Sequence, residues 1–316
     1  MRDIIKLLKR SKKIALFSHS NPDPDTIGST LALYEALVTM NKQVSVFCDV
    51  ENGENYAFLE YYDRYNTDDL EGFDLYVSVD VPTNTMFGKF EESFVNFPNT
   101  IKLDHHANGA EFSKKKLVKT YSACAILIYE VINKLKVKIT PSIATALYFG
   151  ICGDTGLFRN SNTDSKTFEV CADLLEKGAE VRRVYAEFFD KRNVPNVRLT
   201  SSTLLNAKIN DELKYVIMTV SKDDFDKFGV PQSENIGNLP NTYLNCGYKL
   251  AVILKEREDG IHCSFRSKFE YDCSVVAAKF GGGGHKNASG CAINEPIKKA
   301  IELVEKEIQE FLKVEG

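Results

Sequence analysis

An apolar run and the polar loop after it decide the fold: Ile14-Ala-Leu-Phe-Ser18 is followed directly by His19-Ser-Asn-Pro-Asp23-Pro-Asp25. A short apolar run bounded by turn-forming residues is typical of a buried strand. Residues 26–40 come next and carry apolar side chains at helical spacing, at Ile27, Leu31, Tyr34 and Leu37. A buried strand that passes through a short loop into a helix begins a strand-helix-strand unit, so the sequence predicts a parallel sheet.

The alternation continues through the first half of the chain. Further strands are predicted at residues 44–48, 75–81 and 100–103, and helices at residues 122–135, 141–152 and 165–177. This order predicts an α/β fold, with an open, mostly parallel sheet and helices on both faces. Ligands of such sheets bind beyond the carboxyl ends of the strands, so the residues that follow each strand form the candidate site.

The pattern changes in the last third of the chain. Strands are predicted at residues 215–221, 250–256 and 261–268, and helices at residues 274–280 and 296–313. The sequence thus predicts a smaller C-terminal α/β domain. We expect a catalytic domain at residues 1–190, a linker at residues 191–210 and a substrate-binding domain at residues 211–316. Residues 181–210 are charged and contain Pro195, which leaves open whether they form a connecting helix or a linker.

Charge and composition exclude several classes of protein. The 316 residues carry 44 acidic and 40 basic side chains, a net charge of -4, whereas proteins that coat long duplex nucleic acid are usually basic. The eight cysteines include no Cys-x-x-Cys pair, which disfavours a zinc finger. The charged N-terminus is unlike a signal peptide, and no apolar run approaches the roughly 20 residues of a membrane helix. We therefore expect a cytoplasmic protein that binds neither a membrane nor long duplex nucleic acid, and a homodimer is left open.

Histidines and aspartates cluster where the predicted strands and helices of the first domain end. They are His19, Asp23, Asp25, Asp80, Asp104, His105, His106 and Asp154. Each position alone also fits a turn or a helix cap, and Asp25 could cap the helix that starts at Thr26. Together they predict one site, in which mixed imidazole and carboxylate ligands suit manganese, magnesium, iron or zinc.

Two features of the second domain suit phosphate. Phe280-Gly-Gly-Gly-Gly284-His285 is a glycine run in which backbone N–H groups can approach phosphate oxygens, although a flexible loop is the simpler alternative. Arg266 lies on a predicted strand whose Ile261, Cys263 and Phe265 share the other face, and a guanidinium binds phosphate through two parallel N–H groups.

The pattern His19-x-x-x-Asp23-x-Asp25, then Asp80, then Asp104-His105-His106, then Asp154 resembles the DHH phosphoesterase family in order and spacing. The glycine run resembles the Gly-Gly-Gly-His loop of the DHH-associated C-terminal domain. That domain occurs in RecJ-type exonucleases and in nanoRNases that also remove the 3′-phosphate of pAp. Pro24 stands where the family usually has glycine, which leaves the substrate preference open.

The resemblance implies two divalent cations, usually Mn²⁺, with Mg²⁺ as the alternative. It implies metal ligands at His19, Asp23, Asp25, Asp80, His105 and Asp154. His106 would donate a hydrogen bond to the substrate, and Asp104 would support the neighbouring imidazole. Substrate contacts are implied at Arg266, Gly282, Gly283, Gly284 and His285.

The resemblance also implies the function. The first expectation is hydrolysis of phosphoester bonds in short oligoribonucleotides, or of the 3′-phosphate of pAp. The alternative is a phosphodiesterase acting on c-di-AMP or linear pApA, which uses the same chemistry. A nucleotide-binding protein without activity would need a broken metal site, and every proposed ligand position is intact.

Overall fold

The protein is described from a computed structural model, which covers residues 1–49, 56–66, 70–191, 193–234 and 236–315. The chain divides into two compact units, Met1–Lys191 and Arg192–Gly316. No helix among these residues is long and apolar enough to cross a membrane.

The first unit is built on a five-stranded sheet in the order β2-β1-β3-β4-β5, and every strand pair is parallel. The strands are β1 (Lys13–Phe17), β2 (Gln43–Phe47), β3 (Leu75–Val79), β4 (Thr100–Asp104) and β5 (Lys115–Val118). The predicted α/β class is confirmed. Strand β5 was not predicted, because Lys115 and Lys116 are exposed on this edge strand and give it no apolar run.

Helices cover both faces of this sheet, as predicted. The helices are α1 (Arg2–Arg10), α2 (Pro24–Thr39), α3 (Glu91–Asn96), α4 (Cys124–Leu135), α5 (Pro141–Asp154), α6 (Ser165–Glu176) and α7 (Val181–Val184). One face packs Ile14 and Leu16 of β1 against apolar residues of α2, α4 and α5. The other face packs Phe17 against Phe87 and Phe94, which come from the 3-10 segment Asn84–Phe90 and from α3.

Helix α2 begins two residues earlier than the capping interpretation expected. Asp23 is its N-cap and accepts a hydrogen bond from the Thr26 backbone N–H at 3.0 Å, while Pro24 occupies the first helical position. Asp25 therefore lies inside the first turn and is fully buried. The alternative in which Asp25 caps the helix is therefore excluded, and Asp25 is available for another role.

Helices α2 and α5 approach each other closely through small residues. A Cβ on Gly28 would lie 2.2 Å from the Ala146 carbonyl oxygen, and one on Gly153 would lie 2.5 Å from Pro24 Cβ. Only glycine fits such distances. The start of α2 consequently lies against the end of α5, which places Asp25 close to Asp154.

The second unit contains a six-stranded mixed sheet in the order β10-β11-β9-β8-β7-β6, in which only β7 and β8 pair in parallel. Its elements are α8 (Val194–Leu205), β6 (Lys208–Asn210), β7 (Tyr215–Val220), α9 (Lys222–Phe228), α10 (Asn241–Asn245), β8 (Leu250–Arg257), β9 (Gly260–Ser267), α11 (Cys273–Ala278), β10 (Gly283–His285), β11 (Ala288–Ile293) and α12 (Ile297–Glu315). Apolar clusters on the two faces pack against α11 and α12 on one side and α8, α9 and α10 on the other.

The segment expected as a linker, residues 191–210, has regular structure over most of its length. Asn193 caps α8 by accepting from the Asn196 backbone N–H at 2.7 Å, and Pro195 lies in the first turn. Leu199 on this helix is buried in the core of the second unit. The segment thus belongs to that unit by its packing.

We predict that Gly28→Ala destabilises the first unit. The new methyl would overlap the backbone oxygen of Ala146, which cannot move aside as a flexible side chain could, and overpacking of this kind costs about 1–3 kcal/mol. Thermal and urea unfolding of the variant would measure the loss. Gly283→Ala is the control, because a Cβ there meets no atom of the described residues within 4 Å. A Gly28→Ala protein as stable as the wild type would contradict the close packing of α2 on α5.

Candidate metal centre

The carboxylates and imidazoles predicted from the sequence converge at one end of the parallel sheet. His19 follows β1, Asp80 follows β3, and His105 and His106 follow β4. Among the described residues, three groups of side chains each have ligand atoms within 4.8 Å of one another. The groups are His19, Asp23 and Asp80; Asp25, His105 and Asp154; and Asp80, His105 and His106.

Asp80 lies at the centre of this arrangement. Its backbone is left-handed, with φ +58°, a conformation that few non-glycine residues adopt and that concentrates at functional sites. One carboxylate oxygen, Oδ1, is buried, has no hydrogen-bond partner among the residues that the structure describes, and lies 3.5 Å from His105 Nε2 and 3.7 Å from His106 Nδ1. Burial, and then the negative charge of Asp25, raise the pKa of Asp80 well above its usual value.

Thr26 links three of these residues and was not found from the sequence. Its buried hydroxyl donates to Asp80 Oδ2 at 2.7 Å and lies 2.6 Å from His19 Nε2, while its backbone N–H donates to Asp23. The other ring nitrogen of His19, Nδ1, is buried and has no partner within the described part of the chain. A threonine in a helical first turn gives no chemical signal by itself, so its role follows only from the geometry.

The His105 ring is oriented by the backbone. Its Nδ1 lies 3.0 Å from the Tyr121 carbonyl oxygen, an acceptor only, so Nδ1 donates and Nε2 faces the carboxylates. Nε2 lies 3.2 Å from Asp154 Oδ2 and 3.9 Å from Asp25 Oδ2. Burial alone would lower the pKa of His105, but the hydrogen bond to Asp154 and the charges of Asp25 and Asp80 raise it to about 10.

Asp25 is held at the N-terminus of α4. It accepts hydrogen bonds from the backbone N–H groups of Cys124 and Ala125, and from Ser29 Oγ at 3.1 Å. A Cβ on Gly150 would lie 2.8 Å from Asp25 Oδ1, so this glycine of α5 makes room for the carboxylate. Burial and the charge of Asp154 nevertheless raise the pKa of Asp25 to about 7.

Asp154 ends α5 at the edge of the centre, with a quarter of its side chain exposed. Its carbonyl oxygen accepts hydrogen bonds from Asn160 Nδ2 and Asn162 Nδ2 at 3.0 and 3.2 Å. The chain after it takes three consecutive left-handed residues, Gly156, Leu157 and Phe158. These contacts fix the end of α5 and so the direction of the Asp154 side chain.

Asp104 supports the histidines from a buried position. Its Oδ1 accepts from the backbone N–H of His105 at 2.8 Å and lies 2.8 Å from His106 Nδ1. Its Oδ2 forms an ion pair with Lys102 at 3.0 Å, and the two side chains are 0% and 3% exposed. Burial would raise the pKa of Asp104, but hydrogen bonds from His106 and Lys102 hold it at about 2.

The donor set fits divalent cations. Two buried ligand atoms, Asp80 Oδ1 and His19 Nδ1, lack partners among the described residues, and at least three carboxylates are gathered where their charges repel. The second nitrogen of His105 is fixed by a carbonyl, which is the usual arrangement of a metal-binding histidine. Imidazole and carboxylate ligands without thiolates favour a metal such as Mn²⁺, Mg²⁺, Fe²⁺ or Zn²⁺.

The comparison with known families agrees with this geometry. Residues 13–151 match the DHH family N-terminal domain, and residues 208–313 match the DHHA1 domain. The chain therefore contains a DHH domain and a DHHA1 domain. Among its relatives, the bifunctional oligoribonuclease and PAP phosphatase NrnA of Bacillus subtilis is 28% identical over 299 residues, which cover 92% of both chains.

Two further comparisons extend this result. The cyclic-di-AMP phosphodiesterase GdpP of Bacillus subtilis is 24% identical over 97% of this chain, which spans 49% of GdpP. The solved structure of an exopolyphosphatase-related protein from Bacteroides fragilis superposes with a TM-score of 0.87 at 23% identity, covering 99% of this chain and 96% of the other. That superposition shows that the two proteins share the DHH–DHHA1 fold.

The glycine run of the DHHA1 domain is part of a hairpin. Gly283 to His285 form β10, which pairs with β11, and a Cβ on Gly282 would lie 2.2 Å from the Gly290 carbonyl oxygen. Gly281 and Gly284 have positive φ of +72° and +137°. The close approach of the two strands therefore accounts for part of the glycine run, and Gly283 and His285 remain exposed on the edge strand.

Arg266 lies on β9 in the same sheet. Its guanidinium donates to the Phe265 carbonyl oxygen at 2.8 Å and to Asn238 Oδ1 at 2.9 Å. His285 and Arg266 are both register partners of Ala288, in β10 and β9, so all three residues share one face. The positions expected to bind phosphate thus lie on neighbouring strands of the DHHA1 domain.

We predict that Lys102→Met destabilises the DHH domain by about 3–5 kcal/mol, because it removes the cation from a buried ion pair and leaves Asp104 charged. Denaturant unfolding followed by circular dichroism measures the change. The control is Lys116→Met, since Lys116 is the register partner of Lys102 on β5 and its ion pair with Glu111 is exposed. An exposed pair contributes about 0–1 kcal/mol, so equal losses in the two variants would show that the Lys102 ion pair has no special role.

Proposed function

We propose that this protein hydrolyses phosphoester bonds in short oligoribonucleotides and removes the 3′-phosphate of pAp. The observation that carries the proposal is the convergence of His19, Asp23, Asp25, Asp80, His105 and Asp154 at the carboxyl end of the DHH sheet. The Bacillus subtilis relative NrnA aligns over 92% of both chains and is named as a bifunctional oligoribonuclease and PAP phosphatase, which supports this substrate class.

We further propose two divalent cations, with Mn²⁺ preferred over Mg²⁺. One would be held by His19, Asp23 and Asp80, and the other by Asp25, Asp80, His105 and Asp154. Asp80 belongs to two of the three ligand groups, which supports its being shared. Divalent cations in such a site activate water at neutral pH and neutralise the charge that develops on the phosphoryl group.

The protein's own residues would orient the hydrogen-bond donors of the site and hold the substrate. His106 is 45% exposed, and its Nδ1 contact with Asp104 leaves Nε2 open to the site, where the ring in its protonated form would donate to a phosphoryl or leaving oxygen. Asp104 fixes that ring and is itself held by Lys102. In the DHHA1 domain, Arg266 and the N–H groups of the glycine hairpin would bind phosphate oxygens, Arg266 through the N–H groups that Asn238 and Phe265 leave unused.

A cyclic-dinucleotide activity is the second candidate. It is favoured by the relative GdpP, which is named as a cyclic-di-AMP phosphodiesterase and matches this chain almost from end to end. The same metal centre would serve both reactions, so only a comparison of substrates can distinguish the two candidate functions. The net charge of -4 supports small substrates in either case, because a long backbone would find no excess of cations.

A substrate panel with Mn²⁺ tests the proposal. It should compare pAp, a diribonucleotide, an RNA of about twenty nucleotides, c-di-AMP and pyrophosphate. We expect the highest kcat/KM for pAp and the diribonucleotide. A preference for c-di-AMP would replace the first candidate by the second, and equal efficiency on the long RNA would contradict the short-substrate proposal.

We predict that Asp80→Asn lowers kcat by about 10³-fold or more. Loss of the shared carboxylate would weaken both cations, whose contribution to the transition state is several kcal/mol, and each 1.4 kcal/mol is about tenfold in rate. Asp164→Asn is the control, because it makes the same chemical change at the N-cap of α6, where asparagine also caps. Near-normal turnover by Asp80→Asn in buffer stripped of metal would reject the two-cation proposal.

We predict that His106→Ala keeps its metals and loses rate, by about 10²–10⁴-fold, as expected for a proton or hydrogen-bond donor. Metal content by mass spectrometry and kcat by steady-state kinetics separate the two effects. His105→Ala is the comparison and should lose metal. If His106→Ala lost one metal equivalent and His105→Ala lost none, the roles of the two histidines would be reversed.

A further inference from the structure

Two cysteines of the DHHA1 domain lie directly opposite each other on neighbouring strands. Cys263 of β9 and Cys291 of β11 are register partners in an antiparallel pair, so their side chains project from the same face of the sheet. Residues paired in this way have Cα atoms about 4.5–5.5 Å apart, which lies within the range of about 4.4–6.8 Å that a disulfide spans. The backbone therefore already brings the two cysteines close enough to be joined.

The two thiols interact with each other, and they are not equivalent. The Cys263 S–H donates a hydrogen bond to the Cys291 sulfur, which lowers the pKa of Cys291 against the opposing effect of burial. The same hydrogen bond, and then burial, raise the pKa of Cys263. Cys263 is 3% exposed, whereas Cys291 is half-buried. Cys291 is thus the better nucleophile of the two, because the thiolate is the form of cysteine that reacts.

The other cysteines have different surroundings. Cys273 is buried and accepts a hydrogen bond from Ser289 Oγ at 3.2 Å, and Cys246 is exposed. Four cysteines of the DHH domain are buried, and burial raises the pKa of each: Cys48, Cys124, Cys152 and Cys171. Packing as small apolar residues accounts for these four. It does not account for two thiols that are hydrogen-bonded to each other across two strands.

We propose that Cys263 and Cys291 form a reversible disulfide when the protein meets a peroxide, and that this bond alters the glycine hairpin of β10 and β11. The Cys291 thiolate attacks one peroxide oxygen, an S–O bond forms as the O–O bond breaks, and the departing hydroxide takes up the proton that Cys291 had released. The Cys263 sulfur then attacks the sulfenic acid on Cys291, and its proton leaves with the sulfenic hydroxyl as water. The two thiols lose two electrons, and the peroxide gains them.

The glycine hairpin would respond because it packs directly on Cys291. A Cβ on Gly282 would lie 2.5 Å from Cys291 Cβ and 2.2 Å from the Gly290 carbonyl oxygen, so the chain has no spare room there. Cβ atoms directly opposite each other are about 4.5–5.5 Å apart, whereas a disulfide holds them at about 3.8 Å. Formation of the bond would draw Cys291 toward Cys263 by about 1 Å and shift the surface on which Gly282 rests. Disulfides under such strain are easily reduced, which makes the change reversible.

The test locates the disulfide by mass spectrometry. Reduced, folded protein is treated in EDTA with an equivalent of hydrogen peroxide, the free thiols are alkylated under denaturing conditions, and the peptides are mapped. Cys291→Ser removes the proposed nucleophile, and Cys263→Ser keeps it but removes its partner. The matched control is Cys246→Ser, the same change at an exposed cysteine. Hydrogen–deuterium exchange of residues 281–285 is compared before and after oxidation.

We expect the wild type and Cys246→Ser to yield a cross-linked peptide pair that joins Cys263 to Cys291, and dithiothreitol to reverse it. Cys291→Ser should form no disulfide. Cys263→Ser should accumulate a sulfenic acid at Cys291, which a dimedone probe labels. Oxidation should change the exchange of residues 281–285 several-fold in the wild type and leave it unchanged in Cys291→Ser.

Two results would overturn the proposal in the wild-type protein itself, whether or not the variants fold. The first is that peroxide produces no link between Cys263 and Cys291, or links either of them to a third cysteine instead. The second is that the linked protein forms but residues 281–285 exchange at the same rate as in the reduced protein, since the bond would then leave the glycine hairpin unaffected.

Discussion

The repulsion among buried carboxylates is the constraint on which the rest of the DHH domain depends. Asp25 and Asp80 are 0% and 2% exposed, and burial raises the pKa of both; the charge of Asp154 then raises the pKa of Asp25 further, and the charge of Asp25 raises that of Asp80. Charges this deeply buried persist only when they are paired or bind metal ions. Hydrogen bonds from the α4 N-terminus and from the Thr26 hydroxyl offset part of the free-energy cost of burying these charges, and a bound cation would offset most of what remains.

The packing of α2 against α5 makes this concentration of charge possible. Gly28 and Gly153 let the two helices approach, and Gly150 leaves the space that the Asp25 carboxylate fills. The proposed ligands therefore come from rigid elements: the start of one helix, the end of another and three strand ends. A site built this way would hold its geometry before a metal binds, which would favour both affinity and rate.

Much of the fold and of the candidate site could be predicted from the sequence, because the histidines and aspartates follow the ends of predicted strands and helices. The α/β class and the proposed ligand positions followed from apolar periodicity and from the DHH resemblance. The supporting residues could not be predicted in the same way. Thr26, Lys102 and Gly150 act through contacts with residues far along the chain or through the space they leave, and such contacts have no local sequence signal.

The glycine run of the DHHA1 domain illustrates a second limit. The close approach of β10 to β11 accounts in part for the glycines at positions 282 and 284. In the sequence, this steric requirement cannot be distinguished from a phosphate-binding loop. Structure was needed to separate what these residues do for folding from what they do for ligands.

The most direct measurement is anomalous X-ray diffraction from crystals of the protein grown with MnCl₂. The account predicts manganese peaks among His19, Asp23 and Asp80 and among Asp25, His105 and Asp154, with Asp80 contacting both. Ordered density for these side chains with no manganese peak among them, or with peaks only elsewhere on the protein, would contradict the claim that this cluster is a metal centre.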